Sequence, residues 1–420
     1  MKRKLRNSVI TVTIASLLLG MSSCTSTSRA STDKPTPEAT TVNGEGVPEL
    51  TDEQIAHFTC EIMQSLYSKE SNMSISPANL YIILGMLTEI TDGDSYNQIC
   101  ELLQTEDINT IRDEVNKLMN TSNQNTSFAN SLWKSINYSY KEEAESNLAE
   151  YYLNESYSVN MGTEEANDQI HNWINERTNN MLKEAAEKFN TNPDTILALV
   201  SAIYFNSNWE TAFPSREEPY IAAFKTSDGN EIDIEYMSDK GTQYPYFVSD
   251  SFEATYKELD DGNLMWFILP NEEYSPEEIL NSEDFEEFLS NENKKQILPS
   301  DSSLYLTIPK FDISSFYELE NQLSNLGITN IFNPNKSDFS KITDDSNLYV
   351  NEFVHASRIM IDEEGVTAAA FSSVGIRAYD TENNDKYLTF NRPFIYMVTS
   401  SDNTSLPLFA GVVNNPTSQN

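Results

Sequence analysis

Asp362-Glu363-Glu364-Gly365-Val366-Thr367-Ala368-Ala369-Ala370-Phe371-Ser372-Ser373-Val374-Gly375-Ile376 is the stretch on which the fold turns. After Gly365 it holds no charge and no proline; after Pro334 the next proline is Pro393. With every N–H available and no charge to bury, such a segment can become a central β-strand, where proline would remove a ladder donor and an unpaired charge would be costly. Alternation puts Val366, Ala368, Ala370, Ser372 and Val374 on one face, small enough to close over a packed core. Thr367, Ala369, Phe371 and Ser373 take the other face, and Phe371 fits only if that side is open. Taken alone, the segment reads equally as an alanine-rich helical turn or an ordinary buried strand. Its surroundings decide.

The surrounding chain has 420 residues, 39% hydrophobic and 11% aromatic, enough for a large core. A net charge of −38 argues against nucleic acid and polyanion partners and favours a self-repelling monomer. His57, His171 and His355 are far apart and show no metal-ligand spacing, so neither a metal nor a cofactor is expected. GxSxG, Walker and GxGxxG patterns are absent from the sequence, which gives an enzyme little to work with. Cys24, Cys60 and Cys100 make no disulfide framework; Cys60 and Cys100 lie in apolar-periodic segments and read as free buried thiols, although spacing alone does not exclude a bridge.

Lys2, Arg3, Lys4 and Arg6 precede the apolar run 9–20, a pattern of export signals too short to span a bilayer comfortably. The run ends in Met21-Ser22-Ser23-Cys24, which resembles a bacterial lipobox with Met21 in place of the usual Leu or Val. The expected organisation is a lipoprotein signal peptide at 1–23, lipid on Cys24, a flexible Ser/Thr/Pro/Glu tether at 24–49 and one domain at 50–420. The protein would then be anchored in the cell envelope, on a membrane face the sequence leaves open. Apolar spacing predicts helices at 50–67, 77–90, 107–119 and 164–188, and strands at 196–205, 264–269, 305–308 and 406–413. Helices come early and strands late, which is α+β.

Asn72-Met73-Ser74-Ile75-Ser76-Pro77, Leu199 to Glu210 with Trp209, Leu306-Thr307-Ile308-Pro309-Lys310-Phe311, Leu326-Gly327-Ile328, His355, the acidic-glycine-alanine stretch above, Arg392-Pro393-Phe394 and Phe409 to Asn414 with Pro416 occur in one order. Each is weak alone; in that order across the domain they resemble the serpins, and with the lipobox, the bacterial lipoprotein members of that family. The resemblance implies three β-sheets, eight to nine helices and an exposed C-terminal reactive-centre loop. It implies a protease inhibitor and not an enzyme: the target cuts the loop, the loop inserts into the main sheet, and the acyl-enzyme is trapped. Serine proteases are the implied partners, with cysteine proteases as a further class; a non-inhibitory binding or carrier protein is the alternative.

By family spacing the reactive bond falls at Tyr379–Asp380, which suits a chymotrypsin-like target; Ala378 would suit an elastase-like one and Arg377 a trypsin-like one. The hinge that enters the sheet is Glu363, Glu364, Gly365, Val366, Thr367, Ala368, Ala369 and Ala370. Ser76, Asn79 and His355 match the shutter that controls sheet opening, and Trp209 matches the breach residue over the entry point. Three positions depart from the family: Ser201 where Asn is usual, Asn79 where Ser is usual, and Asn180 where Gly is common.

Overall fold

Pro77–Ile90 starts where the chain can make no other choice. Ser76 is extended and its hydroxyl accepts the Asn79 N–H at 3.1 Å, while Pro77 occupies the first helical position, where its missing N–H costs nothing. Almost every residue of this helix is buried, so it runs through the interior and sheets pack around it. The computed structural model describes residues 48–121, 125–214, 216–241, 244–290, 296–297, 302–345, 348–366, 385–401 and 403–418. The signal expected at 1–23 and all but the last two residues of the tether expected at 24–49, Cys24 included, lie outside them, as do Thr367, Ala368, Ala369, Ala370, Arg377, Ala378, Tyr379 and Asp380.

The described residues contain ten α-helices, against the eight to nine implied by the resemblance; several are single turns such as Lys183–Ala186 and Pro276–Leu280. The helix predicted at 164–188 ends at Arg177. Asn179 and Asn180 adopt positive φ (48° and 61°) in a turn that helical periodicity conceals, and Lys183–Ala186 follows separately. The 107–119 helix is Ile108–Asn120, with the Asp107 carboxylate accepting the Asn109 N–H at 2.9 Å as its cap. The strand predicted at 406–413 begins only at Phe409.

A seven-stranded sheet carries Met73–Ile75, Phe409–Val413, Phe394–Thr399, Leu264–Pro270, Phe252–Glu258, Pro245–Val248 and Gln296–Ile297 in that spatial order. All seven residues of Leu264–Pro270 are buried, as a strand covered on both faces requires. A second sheet orders Lys386–Thr389, Leu304–Pro309, Glu231–Gly241 and Tyr220–Lys225. The rest of the β-structure forms two pieces. Glu155–Val159, Thr126–Ser135 and Leu197–Phe205 make one; Phe311–Glu318, Val354–Ile361, Gly365–Val366 and Ser207–Asn208 make the other. Leu197–Phe205 continues through Asn206 into Ser207–Asn208, so one run of chain belongs to both pieces. They are two halves of a main sheet, joined at one end. Among the described residues no β-ladder joins Leu197–Phe205 to Val354–Ile361 below that junction.

Candidate functional site

The open seam between Leu197–Phe205 and Val354–Ile361 is the candidate site, and its closed end is built around Gly365. Gly365 pairs with Asn208, and Val366 with Ser207 on one side and Ile361 on the other. A Cβ on Gly365 would stand 2.5 Å from Ser207 O and 2.6 Å from Asn208 Cα, so close backbone approach demands glycine there. Asp362 closes the turn: its Oδ1 accepts the N–H groups of Glu364 (2.9 Å) and Gly365 (3.2 Å), while its own N–H donates to Gly365 O (3.1 Å). Val366 is buried at 1% exposure.

Trp209 lies across this junction. Its backbone N–H donates to Glu364 O (2.9 Å) and its indole N–H to Asp362 O (2.8 Å), so one residue satisfies two carbonyls of the turn. Phe213 packs edge-on to Trp209 with centroids 5.5 Å apart and donates its N–H to Glu363 O at 2.9 Å. The Glu363 carboxylate meets Lys310 Nζ at 2.8 Å, and Lys310 also reaches Glu235 at 2.6 Å. Asp260 secures the receiving strand: its carboxylate accepts from Ser207 Oγ (2.8 Å), Asn208 Nδ2 (3.1 Å) and Asn125 Nδ2 (3.0 Å).

Midway along the seam the structure gathers Ser76, Asn79, Ser201, Asn130 and His355. His355 Nε2 accepts the Ser76 N–H at 3.0 Å. The ring must therefore be neutral with its proton on Nδ1, and complete burial pulls its pKa down to about 4. Asn79 Nδ2 donates to Ser201 O at 3.2 Å, and the Ser201 hydroxyl donates to the Asn79 amide oxygen while lying 2.7 Å from that of Asn130. Asn130 Nδ2 in turn holds Tyr152 O at 2.8 Å. Hydrogen bonds thus link the buried helix to each strand bordering the seam. Below them, a cavity of about 330 Å³ lies among Ile83, Leu87, Phe189, Leu199, Phe339 and Val354, and a smaller one of about 50 Å³ touches Asn79, Ser201 and His355.

Of the residues singled out in the sequence, the structure brings Ser76, Asn79 and His355 into one cluster and Glu363, Glu364, Gly365, Val366 and Trp209 into another. Sequence reading missed Asn130 and Asp260, which have no local motif; Ser207 lay inside the quoted stretch Leu199 to Glu210, but nothing in the sequence pairs it with Asp260. Lys310 lay inside a quoted motif, but nothing in the sequence pairs it with Glu363. Cys60 and Cys100 are free buried thiols. Among the described residues no His/Cys/Asp/Glu group is arranged to hold a metal, and no helix is long and apolar enough to cross a membrane.

Residues 53–416 match the family model described as "Serpin (serine protease inhibitor)". The chain is 30% identical over 379 residues to a serine proteinase inhibitor of Cavia porcellus, covering 86% of this chain and 88% of that one. The native-state structure of the thermophilic serpin tengpin superposes with a TM-score of 0.79 at 24% identity, covering 90% of this chain and 97% of that one. Human thyroxine-binding globulin in complex superposes with a TM-score of 0.74 at 21% identity, over 87% and 98%. The chain belongs to the serpin family. Serpins are in general protease inhibitors and not enzymes, and proteases are their partners.

Proposed function

We propose that this serpin is inhibitory, trapping serine proteases as covalent acyl-enzymes by inserting residues 366–379 between Leu197–Phe205 and Val354–Ile361, with cysteine proteases as a further target class. One observation carries the reading: among the described residues no ladder crosses the seam below its closed end, and at that end Gly365 and Val366 pair as the first rungs of a strand. The small residues Thr367, Ala368, Ala369 and Ala370 come next in sequence and suit the same slot. An inserted arm of about 14 residues at about 3.3 Å each would carry the protease nearly 50 Å. Slowing deacylation by ~10⁷-fold takes about 10 kcal/mol, whereas losing one oxyanion-hole donor supplies about 3–4 kcal/mol. Trapping therefore needs broad distortion of the enzyme, which only full insertion delivers.

The reactive bond belongs to the same proposal: Tyr379–Asp380, with Ala378 and Arg377 as alternatives. The test is incubation with a protease panel and a denaturing gel. A complex that survives denaturant supports the reading, and the released peptide should begin at Asp380, or at Tyr379 or Ala378 for the two alternatives. Cleavage by every protease without a complex points to the second reading, a binding or carrier protein, which the cavity at the base of the seam favours. Lipidation of Cys24 and anchoring in the cell envelope are part of the proposal too, supported by the basic start and the apolar run before it. Radiolabelled palmitate that enters the parent and not Cys24→Ser tests them.

A further inference from the structure

The cavity of about 330 Å³ at the base of the seam draws its walls from separate parts of the chain. Ile83 and Leu87 come from the buried helix, Leu199 and Val354 from the two strands that flank the seam, and Phe189 and Phe339 from connecting segments. The segments at its rim are tied down. Thr191 gives its N–H and its hydroxyl to the Asn167 amide oxygen at 2.9 and 2.7 Å, and the Thr195 hydroxyl accepts the Asn192 N–H at 3.0 Å. Across from them in sequence, the Val350 N–H donates to Ile331 O at 2.7 Å. An apolar cavity of this size, with its walls fixed before anything enters, fits a small organic molecule.

The charges of the lining choose the molecule. Asp194 and Glu352 both line the cavity, and no Lys, Arg or His does. Among the described residues neither carboxylate has a salt-bridge partner. Partial desolvation, and then the charge of Glu318, push the Glu352 carboxyl above its ordinary range, as expected of a group with no cation beside it. Tyr349 stands in the same lining at 46% exposure, an aromatic ring that folding leaves partly open and that a cation can approach. We propose that the cavity binds an organic cation, its ammonium head drawn to Asp194, Glu352 and Tyr349 and its apolar body among Ile83, Leu87, Leu199 and Val354. An anion of the same shape would be repelled by both carboxylates, and a neutral molecule would leave both unpaired. The site depends on the cavity and not on the loop, so it serves an inhibitor or a carrier alike.

The experiment titrates heptylammonium, heptanol and heptanoate, which share a chain length and differ in the head, into the full chain without protease. Heat release gives the affinity, and the thermal midpoint reports stabilisation. Heptylammonium should fill a single site per chain and raise the midpoint. It should bind at least about tenfold more tightly than heptanoate, with heptanol between them. Asp194→Asn and Glu352→Gln should each weaken heptylammonium about fivefold and leave heptanol unchanged. Val354→Phe fills the cavity from one flank and Leu199→Phe from the other; whichever keeps a parental midpoint should lose all three ligands. Equal affinity for the three heads, or tighter heptanoate, would overturn the choice of a cation. Heptylammonium bound equally by the parent and both charge variants would overturn the roles of Asp194 and Glu352. Uptake that does not saturate, or that a folded cavity-filling variant leaves intact, would overturn the site. With no protease present, none of these results bears on trapping by the loop.

Discussion

The Ser76 N–H donates to His355 Nε2 at 3.0 Å, tying the start of the buried helix Pro77–Ile90 to the strand on the far side of the seam. A protonated imidazole has no lone pair to accept that bond. The folded-state pKa of about 4 lies below the ordinary 6.5, so the unfolded chain binds the proton first. The resulting stability is complete above pH 6.5 and drains away as pH falls toward 4, on the order of 3 kcal/mol in all. Urea unfolding midpoints of the parent should decline through that window, and His355→Asn should remove most of that slope.

Asn79 and Ser201 each depart from the usual family residue, and in the sequence they look like two separate defects. The structure makes them one exchange, because they hydrogen-bond directly to each other. Asn79→Ser and Ser201→Asn should each destabilise by about 1–2 kcal/mol, since each leaves a buried polar group without its partner. The double variant should recover most of that loss. Simple additivity of the two single effects would show that the positions act independently.

Glu363 is held by Lys310 at 2.8 Å, and both side chains are about one quarter exposed (26% and 28%). Glu363→Lys sets two ammonium groups together, and the turn at Asp362 to Gly365 should loosen by about 1 kcal/mol. Hydrogen exchange at the Trp209 N–H, which donates to Glu364 O, should accelerate while exchange in Leu264–Pro270 stays unchanged.

Gly365→Ala drives a methyl group into Ser207 O and Asn208 Cα, and both are backbone. Separation of Gly365–Val366 from Ser207–Asn208 should cost about 1–3 kcal/mol. Trp209 fluorescence should shift toward that of an exposed indole, since its indole N–H bonds the carbonyl of Asp362 in the same turn. An unshifted spectrum would mean that the turn accommodates the methyl without moving.

Much of the fold was legible because it is local. Helix 77–90 announces itself through Ser76-Pro77 and an apolar run, and 264–269 through unbroken hydrophobicity. Gly93–Leu102 and Glu142–Tyr152 were not among the predicted helices; they are short, at ten and eleven residues, and bury four and three residues. The break at Arg177 depends on positive φ at two asparagines, which apolar periodicity does not register. The site divides in the same way. Ser76, His355, Gly365 and Trp209 sit in ordered motifs, whereas Asp260 and Asn130 act through partners 52 to 135 and 22 to 71 positions away.

The central claim is that residues after Val366 can become a strand in the open seam. The most direct measurement is the thermal midpoint before and after nicking between Ala370 and Asp380 with a protease that escapes trapping. On this account the intact chain is kinetically trapped, short of its free-energy minimum. Cutting should then free the arm to extend the pairing begun at Gly365 and Val366 into the main sheet. The account predicts that the midpoint then rises by tens of degrees, and that Val366→Arg, placing a charge at a buried rung, prevents most of the rise. A midpoint that stays put or falls after nicking of the parent would contradict it.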